Sequence, residues 1–139
     1  MNRPRRVLVV CKGNHCRSPI AAMMIAERSE GALEARSAGT HDWHVGKPAH
    51  PLVIEAAAAF GHDLTEHRGR LLDEDLLSWA DDLLAVDAET ALAVEALVGP
   101  DRPVSILGKG IPDPWGGGPE DFTRAVLEIQ EATSPSHTA

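Results

Sequence analysis

The stretch VLVVCKGNHCRSPIAAMM, residues 7–24, decides the fold of this chain. Its first four residues are apolar, which indicates a strand buried on both faces, as in a parallel sheet. A polar turn follows Cys11, and Arg17 begins an apolar stretch with helical spacing. The pattern predicts a strand from Arg6 to Val10, a tight loop, and a helix from Arg17 to Ser29. Because a helix start offers free backbone N–H groups and the positive end of the helix dipole, this junction predicts an anion site.

Strands and helices alternate along the rest of the chain. The further predicted elements are strands at Leu33 to Ala38, Asp82 to Val86 and Val104 to Leu107, and helices at Pro51 to Phe60, Asp73 to Trp79, Ala88 to Val98 (capped by Asp87) and Glu120 to Ala132. This order predicts an α/β fold with a parallel sheet of about four strands. The length of 139 residues fits one domain, residues 1–139, and we expect flexible tails at 1–5 and 133–139.

Composition excludes several classes of protein. The net charge of −8 argues against nucleic-acid binding, and no apolar run approaches the roughly 20 residues of a membrane span. The basic N-terminus MNRPRR lacks the apolar stretch of a signal peptide. Two cysteines five positions apart are not a disulfide framework. We therefore expect a cytoplasmic protein, monomeric or weakly dimeric, with no membrane contact.

Residues 11–18, the P-loop hereafter, combine the groups that activate a thiol. A free thiol has a pKa of about 8.5, and a helix start and a nearby cation such as Arg17 lower it. Ser18 is placed to donate its hydroxyl to the Cys11 sulfur, while Gly13 and Asn14 suit a tightly curled backbone. The alternative is a buried structural cysteine, for which a polar loop is a poor setting. The pattern favours a nucleophile beside a phosphate cradle.

The string VLVVCKGNHCRSP resembles the active-site loop of the low-molecular-weight protein tyrosine phosphatases. The likeness covers nearly the whole chain, from about residue 6 to 132, and continues in SAGT (37–40), WHVGKP (43–48), the segment from His67 through Arg70 to DDLLAVD (81–87), and IPDPW (111–115). The resemblance implies a three-layer fold, a four-stranded parallel twisted sheet flanked by helices. It also implies a phosphorylated protein as partner, with phosphotyrosine as the substrate group.

The resemblance assigns catalytic roles to three residues. Cys11 attacks phosphorus and forms a phosphocysteine, and Arg17 holds the phosphoryl oxygens. Asp113 protonates the leaving oxygen and later activates water, although Asp-Pro is also an ordinary turn signal. No metal and no cofactor are required, because the arginine and the amides carry the positive charge. The residues assigned to phosphate binding are Lys12, Gly13, Asn14, His15, Cys16, Arg17 and Ser18.

Four residues match supporting positions of the family. Asn14 and His67 match positions that hydrogen-bond each other and shape the loop; a surface histidine is the alternative for His67. Trp43 and Trp115 match positions that wall the pocket, and packing alone is the alternative for both.

The loop also departs from the family pattern. Lys12 and His15 replace apolar or small residues, and we expect them to make the pocket mouth more cationic and to favour an acidic or more heavily phosphorylated substrate. His15 leaves the preference between phosphotyrosine and phosphoarginine open. The resemblance further implies a protective disulfide between Cys11 and Cys16, which makes the enzyme redox-sensitive.

Other functions remain as alternatives. A protein-arginine phosphatase or another phosphatase of this fold is the nearest. An arsenate reductase needs a relay of further cysteines, and the chain has only two. A catalytically inactive phosphate-binding module fits poorly with an intact Cys11, Arg17 and Asp113. A metal site built from Cys11, Cys16, His41 and His44 has the wrong spacing for closed zinc coordination.

Overall fold

Nine helices and strands follow one another in residues 3–134, which are the residues that the computed structural model describes. In chain order they are β1 (Arg5–Cys11), α1 (Arg17–Arg28), β2 (Leu33–Gly39), α2 (Pro51–Ala59), α3 (Glu74–Trp79), β3 (Asp82–Ala85), α4 (Ala88–Val98), β4 (Val104–Ile106) and α5 (Pro119–Ala132). Each predicted element is present, and each boundary lies within one residue of the prediction.

The four strands form one parallel sheet in the order β2-β1-β3-β4. β1 lies inside the sheet, where Val10 pairs with Ala38 of β2 on one side and with Ala85 of β3 on the other. In a parallel sheet all carboxyl ends lie at the same edge. The residues that follow β1, β2 and β3 therefore converge, and this edge carries the site.

Helices cover both faces of the sheet, and the side chains of β1 point alternately into the two cores that result. Val7, Val9 and Cys11 pack in the core that contains α1, α2 and α5. Leu8 and Val10 pack in the core that contains α3 and α4. The apolar run that opens β1 is thus buried on both faces, as predicted, and the architecture is the expected three-layer α/β fold.

Local capping interactions explain where several helices begin. The Asp73 side chain accepts a hydrogen bond from Leu76 N at 2.8 Å, and Asp87 accepts one from Thr90 N at 2.8 Å. Pro51 and Pro119 occupy the first turns of α2 and α5. These residues satisfy or remove N–H groups that a helix start leaves without partners, so the sequence fixes the starts locally.

The chain ends differ in part from the expected tails. Arg5 already belongs to β1, and Arg3 forms an ion pair with Asp81 at 2.8 Å. At the other end Thr133 is buried and its hydroxyl donates to Ile129 O at 2.8 Å. Residues 1–2 and 135–139, also assigned to tails, lie outside the described residues. Between residues 3 and 134, no helix is both long and apolar enough to cross a membrane.

Candidate active site

Cys11 ends β1 at the carboxyl edge of the sheet, with its side chain buried. The sulfur lies 2.9 Å from the Ser18 hydroxyl oxygen and accepts a hydrogen bond from Asn14 N at 3.2 Å. Both contacts orient the sulfur at the base of the loop. The sequence-based expectation that Ser18 reaches the sulfur therefore agrees with the geometry.

The carbonyl oxygens of the P-loop are bound by flanking segments. Thr40 N donates to Cys11 O at 2.9 Å, His41 N to Lys12 O at 2.8 Å, and His50 N to His15 O at 3.0 Å. His67 Nε2 lies 2.8 Å from Asn14 O. Since a carbonyl only accepts, Nε2 of His67 carries the proton. These bonds turn negative carbonyl ends away from the cradle, which leaves it suited to an anion.

The Asn14 side chain connects the P-loop to neighbouring segments through hydrogen bonds. The φ of 51° at Asn14 is left-handed, a conformation that asparagine tolerates. Its amide nitrogen donates to Ser18 Oγ and Ser37 Oγ at 2.9 Å each, and its Oδ1 accepts from Arg70 N at 2.8 Å. The predicted contact with His67 exists, but it uses the Asn14 backbone carbonyl because the side chain is committed elsewhere.

Arg17 is buried, and two oxygens fix its guanidinium. Nη1 donates to Asp87 Oδ2 at 2.6 Å and to Ile111 O at 2.7 Å. Burial alone would raise the pKa of Asp87, but its hydrogen bonds from Arg17 and Thr90 outweigh burial and hold that pKa below its usual range. Asp87 was predicted only as a helix cap. Its position two residues past the carboxyl end of β3, which pairs with β1, is the signal that points to a second role.

Asp113 lies on the loop between β4 and α5. Ile111 N donates to Val86 O at 2.7 Å and ties this loop to the end of β3. Asp113 Oδ2 lies 3.6 Å from Arg17 Nη2, and Asp113 Oδ1 accepts from Trp115 N at 3.1 Å. The carboxylate is 42% exposed, so it is accessible to a reactant at the cradle. The fold thus joins residues almost one hundred positions apart.

A cavity of about 460 Å³ opens above the sulfur. Its lining comprises Cys11, Lys12, Gly13, His15, Cys16, Arg17, Trp43, His44, Asp113 and Trp115. Trp43 and Trp115 are 54% and 63% exposed, which places them at its rim. Asn14, Ser18 and His67 were also assigned to the site; they support the loop and do not line the cavity. His44 lines the cavity without having been assigned a role in catalysis.

The prediction that His15 makes the pocket mouth more cationic is wrong. Burial, followed by repulsion from His44 and His50, lowers the pKa of His15 to about 4, so the ring is neutral at pH 7. Lys12 keeps its charge, because a hydrogen bond to Glu89 raises its pKa, but the 2.9 Å ion pair with Glu89 offsets that charge. Positive charge facing the cradle comes chiefly from Arg17 and the backbone amides.

Cys16 lines the cavity with its side chain buried, and neither Cys11 nor Cys16 forms a disulfide in the structure. Burial, the charge of Cys11 and Asp113 raise the pKa of Cys16, while Arg17 acts in the opposite direction. The disulfide between Cys11 and Cys16 stays a prediction.

Among residues 3–134 no three His, Cys, Asp or Glu side chains are grouped so that they could hold a metal ion. This finding counts against the alternative of a metal site at Cys11, Cys16, His41 and His44.

Comparison with known proteins identifies the family of this chain. The model of the family described as low molecular weight phosphotyrosine protein phosphatase matches residues 6–137. A low molecular weight protein-tyrosine-phosphatase of Streptomyces coelicolor is 34% identical, over 93% of this chain and 88% of the relative.

Solved structures agree with that match. Wzb of Vibrio vulnificus, in complex with benzylphosphonate, has a TM-score of 0.85 and 29% identity, over 93% of this chain and 94% of that one. The YwlE arginine phosphatase from Geobacillus stearothermophilus has a TM-score of 0.85 and 26% identity, over 94% and 88%. Sequence and fold therefore agree, and the chain belongs to the low molecular weight protein-tyrosine phosphatase family.

Proposed function

We propose that this protein hydrolyses phosphotyrosine in protein substrates through a phosphocysteine intermediate. The observation that carries the proposal is the Cys11 sulfur at the base of a loop whose carbonyls point outward, with the buried guanidinium of Arg17 beside it. A thiolate, inward amides and a fixed arginine are what a phosphoryl group needs, since phosphoryl transfer depends on alignment and charge stabilisation.

In the first step the Cys11 sulfur attacks phosphorus. The S–P bond forms, and the bond between phosphorus and the phenolic oxygen breaks. Arg17 and the amides of residues 12–17 bind the equatorial oxygens, and Asp113 gives its proton to the departing phenol. The 3.6 Å separation between Arg17 Nη2 and Asp113 Oδ2 supports this division of roles. Protonation matters because a phenolate is a poor leaving group compared with a phenol.

In the second step a water molecule attacks the phosphocysteine. Asp113, now a carboxylate, takes the proton of that water; the S–P bond breaks, and Cys11 returns as a thiolate. Inorganic phosphate leaves the cradle. The mechanism uses no metal and no cofactor, because Arg17 and the backbone amides neutralise the developing charge.

Aromatic residues at the cavity support phosphotyrosine as the substrate group. The cavity is lined by four residues with rings: Trp43, Trp115, His15 and His44. A solved structure of this fold, Wzb of Vibrio vulnificus, is in complex with benzylphosphonate, a phosphonate that carries a benzene ring. The likeness to an arginine phosphatase makes phosphoarginine the second candidate. We assign the enzyme to the cytoplasm, where reductants keep Cys11 a thiol, and expect a monomer or weak dimer that binds neither nucleic acid nor membrane.

Release of p-nitrophenol from p-nitrophenyl phosphate in the presence of EDTA tests the mechanism. We expect Cys11→Ser to lower kcat by about 1,000-fold or more, and Asp113→Asn by about 100-fold. Turnover that survives Cys11→Ser would falsify the nucleophile assignment. Paired phosphotyrosine and phosphoarginine peptides of one sequence then decide the substrate, and a higher kcat/KM on phosphoarginine would favour the second candidate.

A further inference from the structure

One edge of the sheet is open along β2, which stands last in the strand order and pairs with β1 on its inner side. On its outer side Gly39 forms two hydrogen bonds, from Gly39 N to Arg70 O and from Leu72 N to Gly39 O, both at 2.8 Å. Because the direction of the backbone groups alternates along a strand, Ala35 and Ser37 also point their N–H and C=O groups outward. Within residues 3–134 no backbone hydrogen bond is formed on that outer side by either residue.

A groove of about 390 Å³ lies beside this open edge, and Ala35 and Ser37 both line it. Most of the lining is apolar and comes from one face of α1, from β2 and from the loop after α2. The apolar residues are Pro19, Ala22, Met23, Ala26, Ala35 and Leu64. An open strand edge beside an apolar groove is the arrangement that binds an extended peptide as an additional strand.

The charge of the groove is negative. Three exposed carboxylates line it: Glu27, Asp63 and Glu66. Arg36 also contributes to the lining, but its guanidinium lies 4.4 Å from the centroid of the Trp79 ring, which packs against the core on the other face of the sheet. A partner that fits this groove therefore carries lysine or arginine side chains.

We propose that this groove docks an extended, basic segment of a partner protein. The segment pairs as an added strand with the outward backbone groups of Ala35 and Ser37. Its apolar side chains contact the face of α1, and its lysine or arginine side chains lie beside Asp63 and Glu66.

The groove is separate from the catalytic cavity, with which it shares no lining residue. The inference therefore goes beyond the proposed function and does not depend on it. Two residues of the groove also support the P-loop, because Ser37 Oγ accepts from Asn14 Nδ2 at 2.9 Å and His67 Nε2 donates to Asn14 O at 2.8 Å. A docked segment thus contacts residues that hold the P-loop, while the cradle stays open to a substrate.

Fluorescence anisotropy with a labelled octapeptide of alternating lysine and valine tests the proposal. Valine favours an extended backbone, and the alternation places all lysines on one side of the strand. We expect a Kd on the order of 10–100 μM at low salt. Replacement of every lysine by glutamate, or N-methylation of the four central backbone amides, should weaken binding by about tenfold or more. Equal affinity of either altered peptide would overturn the proposal.

Two variants of the protein change the groove itself. Ala26→Phe fills it from α1, and Glu66→Lys reverses a charge on the loop after α2, so we expect each to weaken binding of the lysine–valine peptide by about five- to tenfold. Ala93→Phe and Glu55→Lys are the matched controls, since they make the same exchanges at exposed helix positions that do not line the groove. A control that weakens binding as much as its partner variant would contradict docking at this groove.

Hydrogen exchange of the backbone distinguishes an added strand from contacts of side chains alone. We expect the N–H groups of Ala35 and Ser37 to exchange about tenfold or more slowly when the lysine–valine peptide saturates the protein. The peptide should leave the KM for p-nitrophenyl phosphate within about twofold, because the two cavities are separate. Unchanged exchange at both residues, or competitive inhibition by the peptide, would overturn the proposal. Binding and exchange need no turnover, so their outcome is distinguishable from a failure of the proposed function.

Discussion

At the scale of single residues, Asp87 combines two tasks in one carboxylate. One oxygen accepts from Thr90 N and caps α4, and the other accepts from the Arg17 guanidinium at 2.6 Å. Arg17 is 2% exposed, and without Asp87 its buried guanidinium would lose its nearest carboxylate. A helix-capping residue therefore also sets the direction of the phosphate-binding arginine.

We expect Asp87→Asn to lower kcat about tenfold, because Asn keeps the cap but holds the guanidinium less firmly. The inhibition constant of inorganic phosphate should change by less than about threefold, since loss of a nearby negative charge offsets the lost orientation. Steady-state kinetics with p-nitrophenyl phosphate measure both quantities.

The matched control is Asp82→Asn. This variant breaks the ion pair between Arg5 and Asp82. The Arg5 side chain is 62% exposed and the Asp82 side chain is 44% exposed. Exposed pairs contribute little, so kcat should stay at the wild-type value. An equal loss of kcat in the two variants would contradict an orienting role for Asp87.

At the scale of elements, the end of β2 packs directly against the P-loop. Gly39 pairs with Cys11 across the sheet, and its backbone bonds to Arg70 O and Leu72 N. A Cβ at Gly39 would approach Lys12 O to 2.8 Å and Asn14 N to 2.9 Å, both rigid backbone atoms. The strand needs glycine here because the loop comes too close for any side chain.

Gly39→Ala should therefore displace the P-loop. We expect kcat/KM on p-nitrophenyl phosphate to fall by about 100-fold, since a shift of about 1 Å misplaces the reacting groups. The free energy of unfolding should fall by about 1–3 kcal/mol from overpacking, measured by urea denaturation.

Gly118→Ala provides the comparison for that variant. Its Cβ would meet only the end of the Glu120 side chain, at 3.1 Å, and that side chain is exposed. We expect activity within about twofold of the wild type, because the change is confined to the start of α5. Activity in Gly39→Ala that matches this control would show that the loop tolerates the side chain.

At the scale of the whole molecule, the histidines near the site couple folding to pH. Burial chiefly lowers the pKa of His15 to about 4, and it also lowers the pKa of His44 and His50. The unfolded chain binds protons at these groups near pH 6.5, while the folded chain resists them. More protons bound in the unfolded state means that stability falls as pH falls, here between about pH 6.5 and 4.

We expect the free energy of unfolding to fall between pH 7 and pH 5, with His15 contributing about 1–2 kcal/mol after allowance for its partial exposure. Urea denaturation of His15→Phe should show a smaller loss over this range, because the ring no longer titrates. His41→Phe is the control, since His41 is exposed. Equal pH dependence in wild type and His15→Phe would contradict this account.

The sequence determined the order and the limits of the elements, because their signals are local. Pro51, Asp73 and Asp87 mark helix starts through bonds within one turn, and the apolar run of β1 specifies a strand buried on both faces. The P-loop motif was equally recognisable in the sequence, since Cys11, Arg17 and the Ser18 hydroxyl that contacts the Cys11 sulfur lie within seven positions of one another.

Only the tertiary structure decided which distant groups meet at the cradle. Asp87 reaches Arg17 across 70 positions, and His44 stacks on His15 from a loop whose sequence has no regular pattern. Burial then reversed the expected charge of His15, from a cation to a neutral ring. Neither effect can be inferred from the neighbouring sequence, because the protonation and orientation of a side chain depend on what the fold packs around it.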